Sequence, residues 1–239
     1  MRCACALTAN ASRVCSTPRS GTGLKVWPSA MPLLAYVQQV IRERFGHVSR
    51  SRPLRVLELG SGCGLLGLGL AATCNAEVIL TDPAVAVNFA ETESGNTLDW
   101  LRENVERNRE AVGDRARVEQ LAWGDAAAAQ ALQRTCGNDA GFDLVVGSDL
   151  LYDPERYPGL LSALHTFVGS GGGGGGGKPP DAAPAAVLGY PTRHGREQSF
   201  WRMCEEGGEL EVGVTLPIVP PPPAAGRFSA THLHRRTND

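Results

Sequence analysis

The sequence predicts an α/β domain built on a mostly parallel sheet with helices on both faces. Short apolar runs alternate with amphipathic segments several times along the chain, the pattern of strands joined by helical crossovers. The first run, residues 54–59, leads into Glu58-Leu59-Gly60-Ser61-Gly62-Cys63-Gly64, and an apolar helical pattern follows at once. Strand, glycine turn and helix is the arrangement by which such a sheet offers bare N–H groups and a helix N-terminus to a ligand. Residues 142–147 are apolar enough for a central strand covered on both faces.

Taken in order, residues 1–22 read as a disordered leader. Arg2, Arg13 and Arg19 lie there among Ala, Ser and Thr, and the first acidic residue is Glu43. An organellar transit peptide is the alternative reading of that composition. Pro28 and Pro32 punctuate the entry to a helix whose Leu33, Leu34, Val37 and Ile41 share one face. Strands are expected at 54–59, 77–81, 118–122, 142–147, 185–190 and 209–216. Helices are expected at 65–73, near 98–105, at 126–134, from Pro154 onward with Leu160, Leu161 and Leu164 inward, and at 197–206. Residues 91–96 read as a loop. The glycine run 171–177 and Lys178-Pro179-Pro180 mark 169–184 as a flexible insertion in a surface connection. The prolines at 220–223 end regular structure, so 218–239 reads as an irregular tail and 23–217 as the domain.

Bulk properties narrow the function. The 239 residues fit one decorated domain. With 23 basic against 25 acidic residues no basic stripe dominates, which argues against a nucleic-acid binder. The seven cysteines are odd in number and form no C-x-x-C pair, so reduced thiols and no metal site are expected. The uncharged stretch 59–76 approaches membrane-spanning length, but its opening glycines fit a buried turn and helix better than a span.

Two cofactor classes use a glycine turn after the first strand. Gly62-x-Gly64-x-x-Gly67 fits the dinucleotide fingerprint but skips Gly60 and leaves Glu58 without a task. The pattern acid-x-Gly-x-Gly-x-Gly, met by Glu58, Gly60, Gly62 and Gly64, is that of S-adenosyl-L-methionine enzymes and uses both. There Gly60 and Gly62 let the backbone approach the amino-acid part of the cofactor, and Glu58 organises the turn and faces its ammonium. Asp82 ends the second strand, where a carboxylate can accept the ribose hydroxyls; a turn cap before Pro83 is the other reading. Trp123 ends the third strand, either stacked on adenine with Asp125 taking the exocyclic amine, or as a rim or core aromatic. Ser148-Asp149-Leu150-Leu151-Tyr152 ends the fourth. Asp149 there could orient an incoming amine and Tyr152 wall its channel, or Asp153 could cap a helix with Tyr152 merely packing.

The motifs gain specificity together. Val26-Trp27-Pro28-Ser29-Ala30, the glycine turn, Thr81-Asp82, Leu98-x-x-Leu101-x-x-Asn104-x-x-x-Asn108, Trp123-Gly124 and the segment 142–152 occur in that order. Over residues 23–216 the chain resembles the family 16 methyltransferase-like proteins, the seven-β-strand protein-lysine methyltransferases. The resemblance implies a Rossmann-like class I methyltransferase fold with a mostly parallel seven-stranded sheet closed by a C-terminal hairpin. The second strand of that hairpin is obscure here, with residues 227–233 left to supply it. It implies Trp27, Gly60, Ser61, Gly62, Asp82, Trp123 and Ser148 as cofactor contacts, and Asp149 and Tyr152 as the Asp-x-x-Tyr motif that positions the acceptor. It further implies a cytoplasmic, monomeric enzyme that methylates lysines on partners such as chaperones or translation factors. The alternatives are a small-molecule N- or O-methyltransferase on the same scaffold and a non-catalytic cofactor-binding scaffold.

Overall fold

The computed structural model describes residues 3–6, 13–16, 22–46, 52–90, 93–136, 141–169, 185–192, 195, 197–218 and 226–236. Two short strands, β1 (Cys3–Ala6) and β2 (Arg13–Ser16), pair antiparallel ahead of helix α1 (Ala30–Arg44). Then come β3 (Leu54–Glu58), α2 (Leu65–Thr73) and β4 (Ala76–Asp82). The strands β5 (Ala86–Ala90) and β6 (Glu93–Asn96) form a ribbon that leads into α3 (Thr97–Arg107) and the short α4 (Arg109–Val112). The chain continues through β7 (Ala116–Gln120), α5 (Ala126–Cys136), β8 (Leu144–Ser148) and α6 (Tyr157–Gly169). It ends with β9 (Ala185–Pro191), α7 (Glu197–Gly207), β10 (Leu210–Ile218) and β11 (Phe228–Arg235).

Among the described residues, seven strands form the main sheet in the order β10-β11-β9-β8-β3-β4-β7. All run parallel except β11, which pairs antiparallel with both β9 and β10. The chain starts at β3, steps outward through β4 to β7, then returns to β8 on the other side of β3. The order reverses between β3 and β8, and a crevice opens at such a reversal beyond the C-terminal strand ends.

The period of two along each strand sorts the core into two layers. Val56, Val78, Leu80, Leu144 and Val146 face α1 and α2, where they meet Leu33, Val37, Leu66 and Leu70. Leu57, Ile79 and Val145 face the other way, against Leu160, Leu164 and Phe167 of α6 and Phe200 of α7. Every residue from Leu65 to Ala71 of α2 is buried, so the uncharged stretch is a core helix, and no helix of the described residues is long and apolar enough to cross a membrane.

Three expectations are corrected. The C-terminal hairpin is complete, and 226–236 of the expected irregular tail supply its second strand. β11 escaped notice because polar residues fill it. Thr231 is buried with its hydroxyl 3.0 Å from that of Tyr190 and 2.8 Å from that of Thr215, and His232 Nε2 meets the Tyr36 hydroxyl at 2.8 Å. Residues 93–96 are a strand, β6, not a loop. Within the leader, β1 and β2 pair where disorder was expected. The insertion 170–184 lies outside the described residues.

At the sheet end away from the crevice, buried Asp143 takes two 2.6 Å bonds from the Arg52 guanidinium and a 2.8 Å bond from the Arg55 N–H. Removing that carboxylate strands a buried N–H and unpairs the arginine. Asp143→Ala should lower unfolding free energy by about 2 kcal/mol, read from urea titrations; a variant as stable as the parent would show that the bonds contribute nothing net.

Candidate active site

A cavity sits at the strand-order reversal, and ten residues singled out in the sequence line it: Trp27, Glu58, Gly60, Ser61, Gly62, Asp82, Trp123, Ser148, Asp149 and Tyr152. Glu58 ends β3, Asp82 ends β4, Trp123 follows β7 and Ser148 ends β8, so four neighbouring parallel strands each deliver a side chain to one place.

The glycine turn is shaped by backbone geometry and held from outside. Gly60 has φ +62° and Gly62 +52°, a region side chains disfavour. A Cβ at Gly60 would also stand 2.8 Å from Leu150 and 3.0 Å from the Trp123 ring. The Ser61 N–H donates to the Thr81 carbonyl at 2.8 Å, and the Gly62 N–H to Asp82 Oδ2 at 2.8 Å. Asn104, fully buried on α3, donates from Nδ2 to the Cys63 carbonyl at 3.0 Å, and Asn108 donates in turn to the Asn104 carbonyl at 2.7 Å.

Glu58 points into the α2 layer. Its Oε2 accepts the Gly67 N–H at 3.1 Å, which places a carboxylate at the positive end of that helix. Gly67 is needed for this contact, because a Cβ there would lie 2.5 Å from Oε2. Burial pushes the Glu58 carboxyl up to about 8; the Ser61 hydroxyl and the Gly67 N–H oppose the rise and the Asp82 carboxylate adds to it. Asp82 is also buried, which lifts it to about 6 against the pull of the Gly62 N–H and the Thr97 hydroxyl. Ser61 Oγ is buried beside the Glu58 carboxyl and lines the cavity.

On the far wall Asp149 is buried, and both its oxygens accept bonds from Ser29 at the start of α1. Tyr152 is 45 % exposed at the mouth, opposite Val85 at 49 %, so it does more than pack in the core. Asp153 accepts the Glu155 N–H at 3.1 Å, so the helix-cap reading of this segment holds beside the cavity reading. Asp125 points elsewhere: it is exposed and caps α5 by accepting the Ala128 N–H at 2.9 Å. The adenine-amine role considered for it is therefore withdrawn.

Sequence reasoning missed Thr97, Gly23, Lys25 and Arg156, which also line the cavity. Thr97 had a legible signal, since Asn96 and Asp99 form a capping box that starts α3 beside the β4 end. Gly23 had none: its need for glycine comes from Thr97, whose Cγ2 would be 2.7 Å from a Cβ there.

Comparison with known proteins follows this geometry. The EEF1A lysine methyltransferase 3 of Mus musculus is 32% identical over 196 residues, 81% of this chain and 67% of that one. The protein N-lysine methyltransferase METTL21A of Danio rerio is 30% identical over 146 residues, 61% of this chain, and the match spans 56% of that relative. The chain thus matches little more than half the length of this second relative. Among solved structures, the glycopeptide N-methyltransferase MtfA complexed with sinefungin superposes with a TM-score of 0.58 at 11% identity, covering 93% of this chain and 91% of that one. That likeness shows the fold alone, the class I methyltransferase architecture. A family model described as lysine methyltransferase matches residues 12–206, and the chain belongs to that family.

Proposed function

We propose that the protein transfers a methyl group from S-adenosyl-L-methionine to lysine side chains of a protein substrate in the cytoplasm, with substrates in the chaperone or translation-factor class. The observation that carries the cofactor reading is the Glu58 carboxylate on the Gly67 N–H at 3.1 Å. A dinucleotide needs that helix N-terminus free for its pyrophosphate. Here an acid already fills it, with a second acid, Asp82, lining the same cavity. The N–H is taken even while Glu58 holds its proton, and a ligand that carries ammonium and sulfonium charge would favour the ionised acid.

The residues present fit this cofactor. The Ser61 hydroxyl and the side-chain-free surface of Gly60 and Gly62 would meet its amino-acid part, with Glu58 facing the ammonium. Asp82, at the end of β4, would accept the ribose hydroxyls. Trp123 would face the adenine, and Trp27 and Ser148 complete the contacts. When bound, the cofactor supplies a methyl group already activated on a positively charged sulfur.

The chain's task is then to deliver a neutral amine in line. Tyr152 walls the entrance, and Asp149 lies deeper on the same wall. Enclosure in the channel lowers the pKa of an entering lysine by desolvation, which favours the neutral nucleophile. Fixing that amine against the methyl carbon supplies a large part of the rate by proximity. Exposed Tyr152 and Val85 at the mouth leave apolar surface that a protein-borne side chain would cover, which supports a macromolecular acceptor. The thiols of Cys63, Cys74, Cys136 and Cys204, none of them in a disulfide among the described residues, accord with a reducing compartment.

Incubation with labelled donor and cell lysate should label protein bands, with mass spectrometry placing the methyl on lysine; label confined to small molecules would sink the protein-substrate reading. Asp82→Ala should weaken S-adenosylhomocysteine binding about 100-fold, equivalent to about 2.7 kcal/mol, and Gly60→Arg should abolish it. Unchanged affinities by calorimetry would reject the cofactor assignment.

Glu58 generates a pH prediction. Its folded-state pKa, about 8, lies above the ordinary carboxyl value, so at pH 7 the ligand-free protein holds a proton there. A cationic ligand favours the ionised form, and binding at pH 7 should release close to one proton, falling toward none above pH 9. Calorimetry in two buffers of different ionisation enthalpy counts it, and Glu58→Gln should release none. The same shift means that this group's contribution to folding stability is full below its ordinary pKa and is lost as pH rises through 8. The ligand-free Glu58→Gln variant should therefore lose less thermal stability than the parent between pH 5 and 9.

A further inference from the structure

We propose that Asp149 works through Ser29, as a positioning residue that ties residues 23–29 down along the cofactor cavity. The inference rests on the cofactor reading above and changes what Asp149 does within it.

Asp149 Oδ2 accepts the Ser29 N–H at 3.0 Å, and Oδ1 accepts the Ser29 hydroxyl at 3.0 Å. Both residues are buried, and 120 positions of sequence separate them. Ser29 occupies the N-cap position of α1, yet its hydroxyl makes no cap bond to its own helix. It donates across the cavity wall instead. The Asp149 carboxylate also faces the positive end of α1, where the helix dipole favours a negative charge.

The backbone at Asp149 is held for this purpose. With φ +58° it is the one non-glycine residue at positive φ among the described residues. Its N–H donates to the Gly189 carbonyl of β9 at 2.8 Å, fixing the turn to the sheet while the side chain reaches α1. Strained conformations persist where surrounding bonds over-determine them, and they cluster at functional sites.

The segment that Ser29 ends is part of the cavity. Gly23, Lys25, Val26 and Trp27 all line it. At the other end the Gly23 carbonyl accepts the Cys63 thiol at 3.5 Å, a weak bond from the glycine turn itself. The strap is therefore anchored in the core by fully buried Leu24 near one end and tied to the end of β8 through Ser29 at the other, with Trp27 between. Losing the Ser29 tie should loosen Trp27 against the cavity wall, so the primary loss should be in cofactor affinity.

An amine-orienting Asp149 predicts the opposite: Asp149→Ala would keep cofactor affinity and lose turnover. The test measures S-adenosylhomocysteine affinity by calorimetry, and donor KM and kcat, for Ser29→Ala, Asp149→Ala and the double variant. Under the strap model Asp149→Ala weakens binding at least tenfold. Ser29→Ala weakens it several-fold, with the change mainly in donor KM, and the double variant binds no worse than Asp149→Ala alone. Asp149→Asn, which keeps one acceptor, should recover part of the loss. Unchanged affinity in both single variants, or fully additive losses, would overturn the model. Amide hydrogen exchange of residues 26–34 gives a readout that needs no ligand. It should rise in Ser29→Ala, a variant that keeps the Asp149 turn and its fold, and exchange equal to the parent's would also overturn the strap. If the parent itself fails to bind S-adenosylhomocysteine, the cofactor reading fails, and the exchange result alone decides for or against the strap.

Discussion

The glycine turn after β3 is held by partners from outside it, and the site depends on that. Thr81 takes the Ser61 N–H, Asp82 takes that of Gly62, and Asn104 gives a proton to the Cys63 carbonyl. A turn with positive φ at alternate residues has no ladder of its own to satisfy these groups, and an unpaired buried peptide group is costly. The neighbours β4 and α3 supply the missing partners. The ligand-facing backbone is therefore rigid only because the second strand and third helix are in register with the first. A slip in the parallel pairing of Val56 with Val78, or of Val56 with Leu144, would undo the site before any cofactor arrived.

The same logic explains why the three buried acids of the cavity wall tolerate burial. Glu58 is met by the Gly67 N–H, Asp82 by that of Gly62 and Asp149 by that of Ser29. Each carboxylate is stabilised by a backbone N–H dipole, and two of them by the start of a helix. Backbone donors hold the acids in place. Burial is the main cause of the raised Glu58 and Asp82 values, and the N–H bonds offset it only in part.

Much of this was legible before any coordinates. The strand–turn–helix at Glu58 to Gly64 announced itself by residue type, because positive φ restricts the choice to glycine and a buried acid needs a partner. Asp82 followed from the rule that parallel strands deliver their last residues to one edge, and Ser148 from the family resemblance. What escaped was whatever depends on a distant partner. β11 carries Thr231 and His232, whose burial is made acceptable by Tyr190, Thr215 and Tyr36, and no local pattern reveals those contacts. Gly23 is small because of Thr97, and Gly67 because of Glu58. The Gly62-x-Gly64-x-x-Gly67 spacing that suggested a dinucleotide thus has a packing cause. Asp125 was misjudged for the converse reason, since its local capping of α5 was the stronger claim on the side chain.

The bonds of Asp149 bear on how a motif should be read. An acid at the head of a motif such as Asp149-x-x-Tyr152 invites a chemical role because it lines the cavity. Here proximity and function separate, since the two oxygens meet α1 and not open space. Tyr152, three residues on, is exposed and lines the same cavity. The two ends of one short turn thus differ: the buried end is tied to α1 and the exposed end reaches the surface. A turn that left the sheet with ordinary φ at residue 149 would aim the carboxylate elsewhere. The unusual backbone is the physical link between the end of β8 and the helix that walls the far side of the site.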